Sequence, residues 1–130
     1  MSSRSARDRM LAGEPYNCLD PDLEAERQGV KALLRLFNSA EALSERQSLL
    51  GQLLGEVGQY SIIEPPFYCT YGCNTHIGDH VYLNFSCTIL DNNEVHIGHH
   101  VMIGPTVQMY TAAHPLEAEA RIQGWEVAKP

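Results

Sequence analysis

Bulky apolar residues fall on a beat of six between Tyr71 and Met109: Tyr71, Ile77, Leu83, Ile89, Ile97, Ile103 and Met109. Five of these seven are followed by glycine or asparagine, at Gly72, Gly78, Asn84, Gly98 and Gly104. Small or branched residues stand four places on, at Thr75, Val81, Cys87, Val101 and Val107. A period of six is the mark of a hexapeptide β-solenoid, in which each unit makes one short strand and one corner. Glycine or asparagine after the aliphatic residue suits a corner because both tolerate positive φ. The beat slips once, between Ile89 and Ile97, so Asn92 to Glu94 is read as a small bulging insertion. An antiparallel sheet would instead repeat every two residues in longer strands.

Before the beat the pattern is helical. A short helix is expected from Ser5 to Ala12. Asp20-Pro21-Asp22 is a start signal, with Asp20 as N-cap and Pro21 at the first helical position, and Leu23, Val30, Leu33, Leu34 and Phe37 then make one apolar stripe as far as Asn38-Ser39. A second helix begins near Ser39 to Glu41 and runs to Leu54, with Leu43, Leu49, Leu50, Leu53 and Leu54 on its buried face, before Gly55 and Gly58 break it. Glu64-Pro65-Pro66 favours an extended entry into the repeat. The organisation predicted is a helical segment over 1–58 and a mainly β solenoid over 59–130, from which 110–130 departs as a long loop. Such loops are usually functional.

With 130 residues there is one domain's worth of chain. The net charge of -7, and the absence of Lys or Arg from Gln47 to Ala120, argue against a nucleic-acid partner and leave the repeat without fixed positive charge for a phosphorylated ligand. No apolar run approaches the roughly twenty residues that span a bilayer, and the four cysteines (Cys18, Cys69, Cys73, Cys87) show no paired metal spacing. A reduced, cytoplasmic setting without membrane contact is expected. Cys87 lies on the inward beat, whereas Cys69 and Cys73 are placed at corners.

Of the six histidines, His76, His80, His96, His99 and His100 read as solvated corner residues. A metal set from His96, His99 and His100 is conceivable, but adjacent corner side chains diverge and no carboxylate pattern joins them, so no metal is expected. His114 differs. It stands where the beat gives way to the loop, Pro115 stiffens its backbone, and Glu117, Glu119 and Glu126 follow in the same loop to orient an imidazole.

The chain resembles the maltose and galactoside O-acetyltransferases, the sugar-acetylating hexapeptide-repeat acyltransferases. The resemblance covers essentially the whole chain. It is carried by the run Met10 to Tyr16, Tyr71-Gly72, Tyr82-Leu83-Asn84-Phe85, Ile89-Leu90-Asp91, Ile97-Gly98, Ile103-Gly104-Pro105 and, above all, Tyr110-Thr111-Ala112-Ala113-His114-Pro115. It implies a left-handed parallel β-helix assembled as a homotrimer, with active sites between neighbouring subunits and acetyl-CoA lying along the coils. The residue matching His114 is the general base toward a sugar hydroxyl, and Glu126 matches the carboxylate that holds its imidazole. Asn84, Asp91, Thr70 and Tyr82 correspond to acceptor-binding residues, and Asp20 lies near an acidic one, two residues from the position some relatives use, here Cys18. Asn84 and the backbone of Gly104 match positions beside the thioester. Read without the resemblance, Asn84 also suits a left-handed corner, Asp91 can cap a turn, and Asp20 is already an N-cap.

The same resemblance makes the chain correspond to the first two thirds of such an enzyme, with coils bearing much of the CoA groove expected beyond it. Taken alone, these residues are expected to bind acetyl-CoA weakly and to self-associate through open strand edges. The rival readings are a non-catalytic remnant that only oligomerises, and the same chemistry on another hydroxylated acceptor such as a nodulation-type oligosaccharide or an antibiotic.

Overall fold

The computed structural model describes residues 4–130. Three helices come first: α1 (Ala6–Leu11), α2 (Pro21–Ser39) and α3 (Leu43–Leu53), with the two-residue strand β1 (Tyr16–Asn17) between α1 and α2. The caps follow local chemistry. Ser5 accepts from the Asp8 N–H at the start of α1, and Asp20 accepts from the Asp22 and Leu23 N–H groups while Pro21 occupies the first turn of α2. The buried stripe of α2 is Leu23, Val30, Leu34 and Phe37. On α3, Leu49, Leu50 and Leu53 are buried, whereas Leu43, expected on that face, is half exposed at the first position of the helix.

Nine short strands follow: β2 (Glu56–Val57), β3 (Ile62–Ile63), β4 (Phe67–Cys69), β5 (Thr75–Ile77), β6 (Tyr82–Leu83), β7 (Cys87–Leu90), β8 (Val95–Ile97), β9 (Met102–Ile103) and β10 (Gln108–Tyr110). The chain deals them in rotation to three parallel sheets, β2-β5-β8, β3-β6-β9 and β4-β7-β10. Ile62 lies opposite Tyr82, which lies opposite Met102, so each circuit takes 20 residues (82 − 62). The inward residues of the three sheets, among them Ile63, Phe67, Ile77, Leu83, Cys87, Ile89 and Ile97, form one core with α2 and α3. Burying a leucine such as Leu83 completely contributes about 1.5–3 kcal/mol.

Two expectations about the beat are corrected by this register. The slip recurs in every circuit: Cys69 pairs with Ile89 and Ile77 with Ile97, so the step from Cys69 to Ile77 is as long as that from Ile89 to Ile97. Cys69 is therefore a buried strand residue instead of a corner, and burial pushes its thiol pKa far up. Tyr71 belongs to no coil strand; it is buried in a second cluster with Met10, Tyr16, Leu23 and Ala128. Of the beat glycines, Gly72 has the left-handed φ expected of a corner, at 75°, whereas Gly78, Gly98 and Gly104 do not. Among the non-glycine residues, left-handed backbone occurs at Tyr60, His80, Ser86, His100 and Thr106, each three residues past an aliphatic position (Val57, Ile77, Leu83, Ile97 and Ile103). Gly58 is required by close approach, since a Cβ there would lie 2.3 Å from the Gly78 carbonyl of the next circuit.

The segment after β10 is not a structureless loop. It holds β11 (Ala112–Ala113), α4 (Ala118–Ile122) and β12 (Trp125–Ala128), and β12 lies between β1 and β11 in an antiparallel sheet. Among the described residues no helix is long and apolar enough to cross a membrane.

Candidate active site

The antiparallel sheet sets three side chains in a row. Glu126 of β12 pairs with Tyr16 of β1, and the register of β11 (Ala112 with Ala128, Ala113 with Val127) brings His114 opposite Glu126 from the other edge. Directly opposed residues share a face of the sheet. His114 Nδ1 stands 3.3 Å from Glu126 Oε2; the imidazole is half exposed, whereas Glu126 is 6% exposed. The other carboxylate oxygen accepts from the Tyr16 hydroxyl at 2.5 Å and from Asn92 Nδ2 at 3.2 Å. Asn92 Nδ2 also donates to the Tyr16 oxygen at 3.0 Å. Burial, and then donation to Glu126, push the Tyr16 phenol far above its ordinary pKa, so it remains a donor.

The row is fixed from below. Asn93 Nδ2 donates to the carbonyls of Met10 (3.1 Å), Leu11 (3.4 Å) and Ala128 (3.0 Å), tying the helical segment, the cross-sheet and the coil at one side chain. Arg27 Nη1 donates to the Tyr71 hydroxyl and Nη2 to the Cys18 carbonyl. The insertion at Asn92 to Glu94 thus supplies the polar buttress of the site. Above it, Pro15, Ala113, His114, Pro115, Ala120, Trp125, Glu126 and Val127 line an open cleft of about 310 Å³. With Nδ1 directed at Glu126, the imidazole keeps Nε2 for a proton on a molecule in that cleft.

Residues 9–58 match the maltose acetyltransferase hexapeptide capping motif. The chain is 45% identical over 130 residues to nodulation protein L of Rhizobium meliloti (strain 1021), covering 98% of this chain and 71% of the relative. It superposes with a TM-score of 0.95 on a maltose O-acetyltransferase from Clostridium difficile 630, at 37% identity, covering 99% of this chain and 70% of the other. A hexapeptide-repeat acetyltransferase of Vibrio cholerae O1 biovar eltor, solved in complex with acetyl coenzyme A, superposes at 0.86 with 37% identity, covering 98% of this chain and 69% of that one. The chain belongs to the maltose and galactoside O-acetyltransferase family.

As a member of that family it is an acetyltransferase. The other positions that the resemblance singled out do not line the His114 cleft. Tyr82 and Asn84 lie in and just after β6, part-buried; the Asn84 side chain accepts from the Phe85 N–H at 2.9 Å, and left-handed φ falls at Ser86 instead. Thr70 follows β4 and is part-buried, and Gly104 is exposed, its carbonyl accepting from Cys87 Sγ. Asp20 lines a separate cleft with Ser5, Arg7 and Glu26, and its carboxylate is engaged in capping α2. Asp91 departs furthest from its expected role. It is fully buried, and its two oxygens accept from the Tyr71 N–H at 2.8 Å and the Thr75 hydroxyl at 3.0 Å. Burial raises its pKa, an effect that the N–H groups of Tyr71 and Gly72 and the Thr75 hydroxyl oppose.

Tyr16 and Asn92 were not singled out as site residues from the sequence. Tyr16 lies within the Met10 to Tyr16 run and Asn92 at the slip in the beat, and those were the signals available. The expectation that no His, Cys and carboxylate set converges is also corrected, because His76, Glu94 and His96 offer ligand atoms that all lie within 4.8 Å of one another.

Proposed function

We propose that the chain moves the acetyl group of acetyl-CoA to a sugar hydroxyl, with His114 as the general base. The observation that carries this reading is the row Tyr16, Glu126, His114: a half-exposed imidazole in a cleft, held at Nδ1 by a buried carboxylate that is itself held by two donors. His114 Nε2 takes the proton as the hydroxyl oxygen attacks the thioester carbonyl, and returns it to the departing CoA sulfur when the tetrahedral intermediate collapses. The relatives named as maltose O-acetyltransferase and as an acetyl-coenzyme A complex support the acceptor class and the donor. Tyr82, Asn84, Asp91, Thr70 and Gly104 lie outside the cleft lining. In our reading the chain assembles in the cytoplasm as a homotrimer of left-handed parallel β-helices, in which the neighbouring subunit brings Tyr82, Asn84 and the Gly104 backbone to His114. The acceptor is best sought among oligosaccharides as well as maltose, glucose and galactosides, because a relative that is 45% identical carries a nodulation name.

The test is CoA release from acetyl-CoA by the purified protein with a panel of such acceptors, wild type against His114→Ala. Turnover should fall about 100- to 10,000-fold in the variant, the range general-base catalysis supplies. Equal turnover in the two proteins would overturn the assignment.

A further inference from the structure

The face formed by β2, β5 and β8 carries a second cluster of chemistry-bearing side chains, and it shares no lining residue with the His114 cleft. The 20-residue circuit sets His76 of β5 opposite His96 of β8, with their rings parallel and 4.6 Å apart. Glu94, from the insertion just before β8, folds its carboxylate between them: Oε2 lies 2.6 Å from His76 Nε2 and 3.5 Å from His96 Nε2. That buried oxygen makes no hydrogen bond to any described residue, and its near neighbours are the two imidazole nitrogens. A buried carboxylate oxygen without a donor is unusual and expensive. Glu56 Oε2 stands 4.0 Å from the other ring nitrogen of His76, beyond hydrogen-bond distance.

We infer that His76 Nε2, His96 Nε2 and Glu94 Oε2 form a binding site for a single zinc ion that pins successive coils together. Two imidazole nitrogens and one carboxylate oxygen suit zinc, with water as a fourth ligand, and not the all-oxygen preference of magnesium or calcium. Ligands about 2.0–2.1 Å from a tetrahedral zinc lie about 3.3 Å from one another. The His96 to Glu94 separation of 3.5 Å already fits, and the His76 to Glu94 contact has to open by less than about 1 Å. His96 is 69% exposed, and its ring has to turn out of its stack on His76 to direct its lone pair at the ion. The ion occupies the direction in which Glu94 Oε2 has no donor, and it ties β5 to β8 independently of the acetyl-transfer chemistry.

The test is calorimetric titration of zinc chloride into the chelator-treated protein, with the visible spectrum of a cobalt-loaded sample as a signature of nitrogen and oxygen ligation. One saturable zinc per chain is expected, with a rise in Tm on loading. Glu94→Gln and His96→Ala should each weaken binding at least about 10- to 100-fold and abolish the Tm rise, whereas His114→Ala should bind zinc as the wild type does. No saturable binding would overturn the proposal. So would binding unchanged in both Glu94→Gln and His96→Ala, or binding lost in His114→Ala and kept in His96→Ala.

Discussion

The parallel coils and the antiparallel sheet β1-β12-β11 solve the same problem of holding short strands together by opposite means. In the coils each circuit repeats the last and the interior is mainly apolar: Leu83, Cys87 and Ile89 are fully buried without any side-chain polar partner, and the buried Ser61, Thr75 and Asp91 are the polar exceptions. In the cross-sheet the buried residues that matter are polar. Tyr16, Glu126, Asn92 and Asn93 satisfy one another and the backbone over sequence separations as large as 110 residues. An apolar interior tolerates local change by repacking. A polar network does not, because each lost partner strands a buried donor or acceptor. The acetyltransferase thus places its candidate chemistry on the element whose geometry is fixed by direction, and its bulk stability in the element fixed by area.

That contrast is tested most severely at Glu126. In Glu126→Gln the amide oxygen still accepts from Tyr16, but the amide nitrogen faces His114 Nδ1 and forces the ring proton onto Nε2, where the base is needed. Turnover should fall about 100- to 10,000-fold, or about 3–5 kcal/mol of barrier, with Tm nearly unchanged. Steady-state assay beside thermal denaturation checks both halves, and undiminished turnover would detach Glu126 from the chemistry. The reverse signature belongs to the coils. Leu83→Ala removes a side chain with no exposed surface and should cost about 2–5 kcal/mol of stability in a denaturant titration, leaving turnover per folded molecule unchanged.

The same division explains what could be read from the sequence. Helix α2 is legible because its signals are local: Asp20 and Pro21 start it, and Leu23, Val30, Leu34 and Phe37 mark its face. The coils are legible through their beat, but Tyr71-Gly72 stands six residues before Ile77 and imitates a coil position, which hides the extra length that recurs in each circuit. Without the 20-residue circuit, His76 and His96 cannot be seen to face each other across β5 and β8. The cross-sheet is not legible from pattern at all. Strands of two to four residues carry no period, and β1 and β12 meet from opposite ends of the chain. His114 stood out by its place at the end of the beat, before Pro115 and a loop with Glu117, Glu119 and Glu126, and the resemblance chose Glu126 among these carboxylates, but nothing marked Tyr16 or Asn92 as the groups that hold Glu126.

A smaller effect sharpens the comparison inside the polar network. Tyr16→Phe keeps the packing but leaves Glu126 and Asn92 each short of a partner, so it should cost about 1–3 kcal/mol of stability. The same replacement at Tyr110, which is 62% exposed, should change stability by less than about 0.5 kcal/mol. Chemical denaturation of the two variants decides it, and equal effects would mean that the Tyr16 hydroxyl contributes nothing beyond its ring.

The smallest expected effect lies where the two regions meet, at Asp91, a buried carboxyl that closes a corner of the coil. Burial holds its folded pKa above the ordinary 3.8, against the opposing hydrogen bonds from Tyr71, Gly72 and Thr75. Between the ordinary value and the higher folded one, the folded chain carries more proton than the unfolded chain, so Asp91 makes stability fall as pH rises through that window. Its favourable contribution is complete only below 3.8. Asn at this position keeps an acceptor for the Tyr71 N–H and has no proton to lose. Asp91→Asn should therefore differ from wild type by about 1 kcal/mol or less, and the difference should shift in favour of the variant as pH rises from about 4. Thermal denaturation of both proteins across the acid range measures it. Parallel curves would mean that the hydrogen bonds at the corner cancel the cost of burial, and that this carboxylate is as much at home in the coil as Glu126 is in the cross-sheet.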